Sequence, residues 1–348
     1  MHALLEAADQ AGGARIVAGC DVYEPRRDEL RARTNETAST HLDYKELLAK
    51  PDVDAVIIAA PDHWHVRMAS DALAAGKDVY LEKPVTHTID EGDALIKAVR
   101  SSNRILQCGT QQRSWIHFQS AVELIQGGNI GRITQVRTYW YQNYQGHDSS
   151  KPIETGLLDW KRWLGSAPEQ PFTEEKYRRW RWFWDFGGGA MTDLFSHWID
   201  VVHWAMKTDA PQVAQTMGDT YVFDQWQCPD TIHSAFRYPG FEVGYEGTMV
   251  SSVDDGGLEF RGTTGTLKLT RSGFGIYREG PRIQNPALSE HSIEDGTITH
   301  MRNFFDCVRS RKQPNAPVEG GVAAARAGHI GNLALRKGEK IAWPQQRS

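Results

Sequence analysis

The chain has 348 residues, a net charge of −5 at pH 7, 40% hydrophobic and 24% charged residues. That is room for two domains with proper cores and an ordinary soluble composition. The acidic balance argues against nucleic acid or an anionic membrane as partner, and no apolar run approaches the ~18 residues of a membrane span. Cys20, Cys108, Cys228 and Cys307 lie far apart with no C-x-x-C, so neither a zinc site nor a disulfide framework is expected.

Residues 1–8 carry apolar side chains at helical spacing with no capping residue in front, so the chain opens within a helix. Residues 15–20 read as a buried strand ending at Asp21, followed by a charged helix from Pro25 to Arg33. A carboxylate ending the second strand of a dinucleotide-binding fold is placed to accept hydrogen bonds from the adenosine ribose and to repel a 2′-phosphate. That favours NAD over NADP; a helix-leading Asp in a turn is the competing reading. Residues 44–50 are helical, and residues 53–60, bounded by Pro51 and Pro61, read as a buried parallel strand. At its carboxyl end Pro61-Asp62-His63-Trp64-His65 leads into a helix over 65–75. A tryptophan and two histidines there suit a nicotinamide ring, or else packing on the next element.

The strand Asp78–Leu81 delivers Glu82, Lys83 and Pro84 in succession, where Gly or Asn would make an ordinary turn. Proline fixes its own φ and biases the preceding residue towards extended backbone. The Lys83 ammonium is therefore held at a strand's carboxyl end, where open α/β sheets bind ligands. A helix over 89–101 opened by Thr88 and a strand over 104–109 complete an alternation that implies a doubly wound parallel sheet.

Together, residues 59–65, 76–84 and Gly109-Thr110-Gln111 resemble in order and spacing the Gfo/Idh/MocA superfamily, the glucose–fructose oxidoreductases and inositol 2-dehydrogenases. The resemblance implies an α/β protein: an N-terminal NAD(P)-binding Rossmann domain and a C-terminal domain with a large, mostly antiparallel open sheet carrying the sugar site and often an oligomer interface. The expected division is residues 1–113, residues 114–317, and a helix and tail over 318–348 returning to the first domain. The implied cofactor ligands are Asp21, Pro61, His63, Trp64, His65, Glu82, Lys83 and Gln111, for NAD rather than NADP. Family members open with a strand and a G-x-G-x-x-G turn cradling the pyrophosphate. Here Gly12 and Gly13 follow a helix and precede the Asp21 strand, the wrong context for that turn. Met1 falls inside the helix such a loop would open. The expectation is a sequence lacking the first strand and loop, by truncation or a misplaced start, with two strand edges exposed and weak dinucleotide binding.

Beyond Gln111, residues 116–127 form a helix, 132–141 alternate like a strand of a half-solvated sheet, 143–156 are irregular and 160–164 make a helical turn. Residues 177–185 interleave arginine with tryptophan. Readers of single-stranded nucleic acid do so too, but the acidic balance opposes that use. Tryptophan faces beside polar forks suit a sugar, making Arg179, Arg181, Trp184 and Asp185 candidate substrate ligands; a structural aromatic cluster is the alternative. A glycine turn at 187–189 enters a helix on which Asp193, His197, Asp200 and Trp204 share one stripe. Asp193 and His197 can share a proton or bind a metal, but no further donor stands at a diagnostic spacing, so no metal is expected. The resemblance implies that Lys83, Asp193 and His197 surround the substrate carbinol. His197 would accept the hydroxyl proton as hydride leaves for nicotinamide, Lys83 would stabilise the alkoxide, and Asp193 would orient the imidazole or hold a neighbouring hydroxyl.

Residues 213–223, 231–238, 241–251, 257–261 and 266–270 read as strands joined by short turns, a largely antiparallel sheet with one face free for a second copy of the chain. A dimer or tetramer is expected. Residues 281–299 read as an exposed loop, and helices over 300–310 and 318–336 as packing back on the first domain. The expected function is an NAD-dependent oxidoreductase acting on a sugar, sugar-derivative or cyclitol hydroxyl. Two alternatives stand beside it: an NAD-dependent glycosidase or lyase working through a transient keto-sugar with no net redox, and a non-catalytic fragment lacking the dinucleotide loop. The expected location is the cytoplasm, with export open because an upstream signal would be lost with the first strand.

Overall fold

Short apolar runs alternate with helices through the first third of the chain in the computed structural model, which describes residues 2–146, 151–280 and 285–343. The order is α1 (His2–Ala11), β1 (Ala18–Cys20), α2 (Glu24–Arg33), β2 (Ser39–His41), α3 (Tyr44–Leu48), β3 (Ala55–Ile58), α4 (Asp62–Ala74), β4 (Asp78–Leu81), α5 (Glu91–Ser102) and β5 (Leu106–Cys108). All these strands pair in parallel, as βαβ connections require. They form two ladders, β1-β2 and β3-β4-β5, and among the described residues nothing pairs β1 with β3. Each ladder thus leaves the expected edge unpaired. The strand β4 is buried at every position. Its first residue, Asp78, tolerates burial because Arg311 donates to it at 2.7 Å and the Ile105 amide at 2.8 Å.

The second layer is reached through α6 (Ile116–Gln126) and β6 (Ile133–Tyr141), then α7 (Trp160–Leu164), α8 (Glu174–Arg178), α9 (Gly189–Asp193) and α10 (Phe195–Met206). The strands β7 (Val213–Asp219), β8 (Thr231–Tyr238), β9 (Phe241–Thr248), β10 (Gly256–Gly262), β11 (Gly265–Thr270), β12 (Gly273–Arg278) and β13 (Leu288–His291) follow. The chain ends on α11 (Gly296–Ser310), α12 (Val318–Lys337) and β14 (Ile341–Ala342). Nine strands form one sheet in the order β13-β12-β11-β10-β6-β9-β8-β7-β14. Its pairs are antiparallel except β6 with β9. After β6 the chain leaves through four helices and re-enters near the far edge, and two hairpin steps bring β9 back beside β6. Inward Ile232, Ser234, Phe236 and Tyr238 of β8 are buried, while outward His233, Ala235 and Arg237 are exposed, the alternation of a sheet covered on one side.

Several expectations are corrected. Residues 281–299 are not one loop: β13 pairs with β12 and α11 begins at Gly296, capped by Asp295; residues 281–284 lie outside the described residues. The strand expected over 213–223 stops at Asp219, because the amides of Tyr221, Val222 and Phe223 all turn to Asp230. Three short strands, β2, β12 and β14, were not expected. Part of the irregular stretch over 143–156, residues 147–150, lies outside the described residues.

The helix α12 packs on both layers rather than on the first alone. Val318, Val322 and Ala325 join the core of the parallel strands, while Ala324, Ala327, Ile330 and Ala334 join that of the large sheet. Small residues permit this double contact. A Cβ on Gly321 would lie 2.4 Å from the Cys108 sulfur, and one on Gly328 2.7 Å from the Met191 carbonyl. The helix α11 lies against α1, where Met301, Phe304 and Phe305 meet Leu4, Ala7, Ala8 and Tyr80.

Candidate active site

The polar residues of the parallel layer gather at the carboxyl ends of its strands: Asp21 after β1, Asp62 after β3, Glu82 and Lys83 after β4, Gln111 and Gln112 after β5. The Lys83–Pro84 peptide is cis. Lys83 Nζ donates to Asp193 Oδ1 at 2.5 Å and to the Asp193 carbonyl at 2.8 Å. Arg181 Nε donates to the same carboxylate at 3.0 Å. Burial works to raise the Asp193 carboxyl, but Lys83 and Arg181 outweigh it and hold Asp193 ionised, well below the usual carboxylate range.

The expected single helix through 187–200 is broken at Leu194, so that Asp193 ends α9 and His197 lies in the first turn of α10. His197 is buried and stacks on Trp140 with ring centroids 5.6 Å apart. Its Nδ1 lies 3.3 Å from Gln112 Oε1. An amide oxygen only accepts, so the imidazole proton sits on Nδ1 and the Nε2 lone pair is left free. Burial, then the charges of Lys83 and Arg271, push His197 well below its ordinary value, which keeps it neutral. Gln112 rather than Asp193 therefore orients the imidazole. Sequence reasoning singled out Gln111; both stand in the 3-10 turn Gln111–Ser114, which sends neighbouring side chains to different sides.

Asp62 is the other residue missed. It is buried beside this cluster, its Oδ1 meets no partner among the described residues, and burial followed by the Asp193 charge pushes its carboxyl well above the usual range. Nearby, Glu82 accepts from Lys83 N at 3.2 Å and from Gln111 Nε2 at 3.5 Å. Gly109 makes room for it: a Cβ there would meet the Glu82 carboxyl at 2.8 Å.

The other expected cofactor ligands have protein partners. Pro61 caps α4 at its N-terminus. Trp64 Nε1 donates to the Trp163 carbonyl at 2.8 Å, and His63 Nε2 stands 3.3 Å from that same oxygen. His65 lies 2.6 Å from the Pro84 carbonyl and 2.8 Å from that of Ala60, tying the ends of β3 and β4 together. All three rings are buried, the packing alternative for this segment. Asp21 sits at the end of β1 and accepts from Tyr23 N at 2.9 Å.

Of the four expected substrate ligands, only Arg181 joins the Lys83–Asp193 pair. Trp184 lies under Arg336, and Asp185 accepts from Gln170 at 3.0 Å. Arg179 stands over Tyr144, its guanidinium carbon 4.8 Å from the ring centre. These two line a groove of about 300 Å³ with Glu175, Phe223, Gln225 and Trp226. Tyr144 sits in an irregular segment, and Phe223 lies in the part of 213–223 beyond the point where β7 stops.

A parallel layer with its polar groups at the strand ends, joined to an open sheet whose covering helices α9 and α10 supply a carboxylate and an imidazole, defines a protein of the Rossmann class. The chain belongs to the Gfo/Idh/MocA oxidoreductase family. Residues 1–110 match the family model described as oxidoreductase family, NAD-binding Rossmann fold, and residues 118–268 match the GFO/IDH/MocA C-terminal domain. An oxidoreductase of Synechocystis sp. is 29% identical over 175 residues, which is 50% of this chain and 40% of that protein. The scyllo-inositol 2-dehydrogenase (NAD(+)) of Bacillus subtilis is 29% identical over 321 residues, 87% of this chain and 81% of the relative. The WlbA dehydrogenase of Bordetella pertussis, solved with NADH and UDP-GlcNAcA, superposes with a TM-score of 0.75 at 21% identity, covering 99% of this chain and 96% of that one. A levoglucosan dehydrogenase solved with NADH and levoglucosan gives 0.76 at 17% identity, covering 98% and 95%. At those identities the structures share the fold.

Proposed function

We propose that the chain transfers hydride between a hydroxyl-bearing carbon of a sugar, sugar derivative or cyclitol and NAD. The observation that carries this reading is the Lys83–Asp193 pair, 2.5 Å apart, with a neutral His197 whose Nε2 is free. A fixed cation beside an uncharged base is what removal of a hydroxyl proton needs.

The strand ends fit a polar cofactor. Among the described residues buried Asp62 Oδ1 and Thr110 Oγ1 have no partner, whereas most buried polar groups are paired. Glu82, Gln111, Asp62 and Thr110 would hold the nicotinamide riboside end, and Asp21 the adenosine ribose. Bound there, NAD supplies the hydride acceptor. Lys83 orients the substrate hydroxyl and stabilises negative charge developing on its oxygen, while Asp193 keeps Lys83 in place. His197 Nε2 takes the hydroxyl proton, and Gln112 holds the ring so that this nitrogen faces the substrate. Relatives bearing the names scyllo-inositol 2-dehydrogenase and levoglucosan dehydrogenase support the substrate class.

The outer face of the large sheet, with Met217 71% exposed, is assigned to a second copy of the chain; sedimentation of Met217→Glu against the parent protein tests this, and an unchanged mass would refute it. The redox reading is tested by incubating the protein with NAD and a panel of inositols, aldoses and anhydrosugars while following absorbance at 340 nm. Formation of NADH that vanishes in Lys83→Ala supports it. No NADH from any member by a protein that binds NADH, or retained turnover in Lys83→Ala, would overturn it.

A further inference from the structure

The groove beside Arg179 is built around a column of three rings. Trp226 is stacked between Trp182, 4.4 Å away at an interplanar angle of 5°, and Phe223, 4.1 Å away at 12°. Tyr144 stands edge-on to both tryptophans, at 5.7 and 5.9 Å. Trp182 and Trp226 are buried, so Phe223, half-buried, is the ring that ends the column on the solvent side.

The column is held in advance. Asp230, wholly buried, accepts three backbone amides on one oxygen, from Tyr221 at 2.9 Å, Val222 at 2.7 Å and Phe223 at 3.1 Å. This clamp fixes the loop that carries Phe223. The inner end of the column is Trp182, whose neighbour Arg181 binds the Asp193 carboxylate. Burial and then the Asp193 charge raise the Tyr144 hydroxyl, so this lining residue stands near the reactive cluster.

Its polar rim points to the occupant. Glu175 accepts from Trp226 Nε1 on Oε1 at 2.7 Å, and its other oxygen has no partner among the described residues. The guanidinium of Arg179 lies on the Tyr144 ring with no carboxylate partner among the described residues, and Gln225 is exposed. An anionic ligand would meet Glu175 and a cationic one Arg179. A neutral ring with hydroxyls on its edge and C–H bonds on its face satisfies donor, acceptor and aromatic surface together.

We propose that this groove is a second sugar subsite. It takes the next ring of a glycoside whose first ring lies at Lys83, Asp193 and His197, so the substrate is a disaccharide or larger glycoside rather than a free monosaccharide. The inference rests on the sugar-oxidation reading for the first ring, but its test is independent of turnover.

The experiment measures dissociation constants with NADH present, by saturation-transfer NMR or tryptophan fluorescence. The probes are glucose, galactose and mannose and the disaccharides maltose, cellobiose, lactose, melibiose and mannobiose. At least one disaccharide is expected to bind about tenfold tighter than either of its component sugars. Phe223→Ala is expected to bring that ratio to within about twofold, with Arg179→Met as a second variant should the first fold poorly. Equal affinities for all disaccharides and their components in the parent protein, or a ratio that both variants leave unchanged, would overturn the subsite. Should NADH form from monosaccharides while the ratio stays at one, the subsite fails and the redox reading stands. Should the ratio respond to Phe223→Ala while no sugar yields NADH, the reverse holds.

Discussion

Two cation–carboxylate–imidazole sets lie two turns apart on the same helical segment. At one end Lys83 holds Asp193, with His197 alongside. At the other Arg113 grips Asp200 with three contacts of 2.8 to 3.0 Å, and His203 Nε2 lies 2.8 Å from the Tyr238 hydroxyl. The residue types are nearly the same, yet the second carboxylate is saturated: Asp200 is fully buried and Arg113 takes both its oxygens, although His203 Nδ1 has no partner among the described residues. In the first set the Lys83 side chain is still 12% exposed and His197 keeps a free nitrogen. A partly exposed lysine leaves room for a ligand, whereas a carboxylate wholly held by one arginine does not.

Substitutions can break this contrast. Lys83→Ala should lower turnover by about a thousandfold or more, because both the oriented hydroxyl and the stabilised alkoxide are lost. Arg181 remains to hold Asp193, so circular dichroism should stay native; near-normal turnover would remove the role assigned to Lys83. His197→Ala should cost about 10²- to 10⁴-fold, the usual range for a general base. If its rate stayed within a few-fold of the parent, proton acceptance would have to move to another group. Arg113→Ala should do the opposite. It leaves Asp200 buried and unpaired and should destabilise the fold by about 3–5 kcal/mol in urea titration, while the folded fraction keeps its turnover within about twofold. A fall in turnover at unchanged stability would place Arg113 with the reactive set.

The smallest expected effect, spread over the whole interface between layers, is acid sensitivity. Burial lowers His63, His65 and His329 to about 4 each. Their folded values lie below the unfolded value near 6.5, so the native state binds fewer protons than the unfolded chain. Their contribution is present in full above pH 6.5 and is lost progressively as the pH falls towards 4. Melting temperatures should decline across that window, and His329→Gln should flatten the decline; a flat profile between pH 7 and 4 would contradict the burial argument.

Strand and helix order was legible in the sequence, because periodicity and proline or glycine punctuation are local properties. The runs at β3 and β4, the alternation at β6 and the helix α12 were read from spacing alone. Lys83, Asp193 and His197 stood out for a similar reason: a cation before proline and an i, i+4 pair on an apolar helix conflict with their local surroundings. What spacing could not reveal is which side of a residue meets which distant partner. The stripe containing Asp193, His197 and Asp200 looked uniform, and only tertiary packing gave Asp193 to Lys83 and Asp200 to Arg113, from the turn after β5. Trp64 and His65 were read as facing a cofactor, and no local pattern announced that their ring nitrogens meet the carbonyls of Trp163 and Pro84. The aromatic column draws Tyr144, Trp182 and Phe223 from three separate segments, so no window of sequence contains it. Local pattern is set by backbone geometry within a few residues, whereas a site is set by long-range contacts, and those exist only once the two layers are packed together.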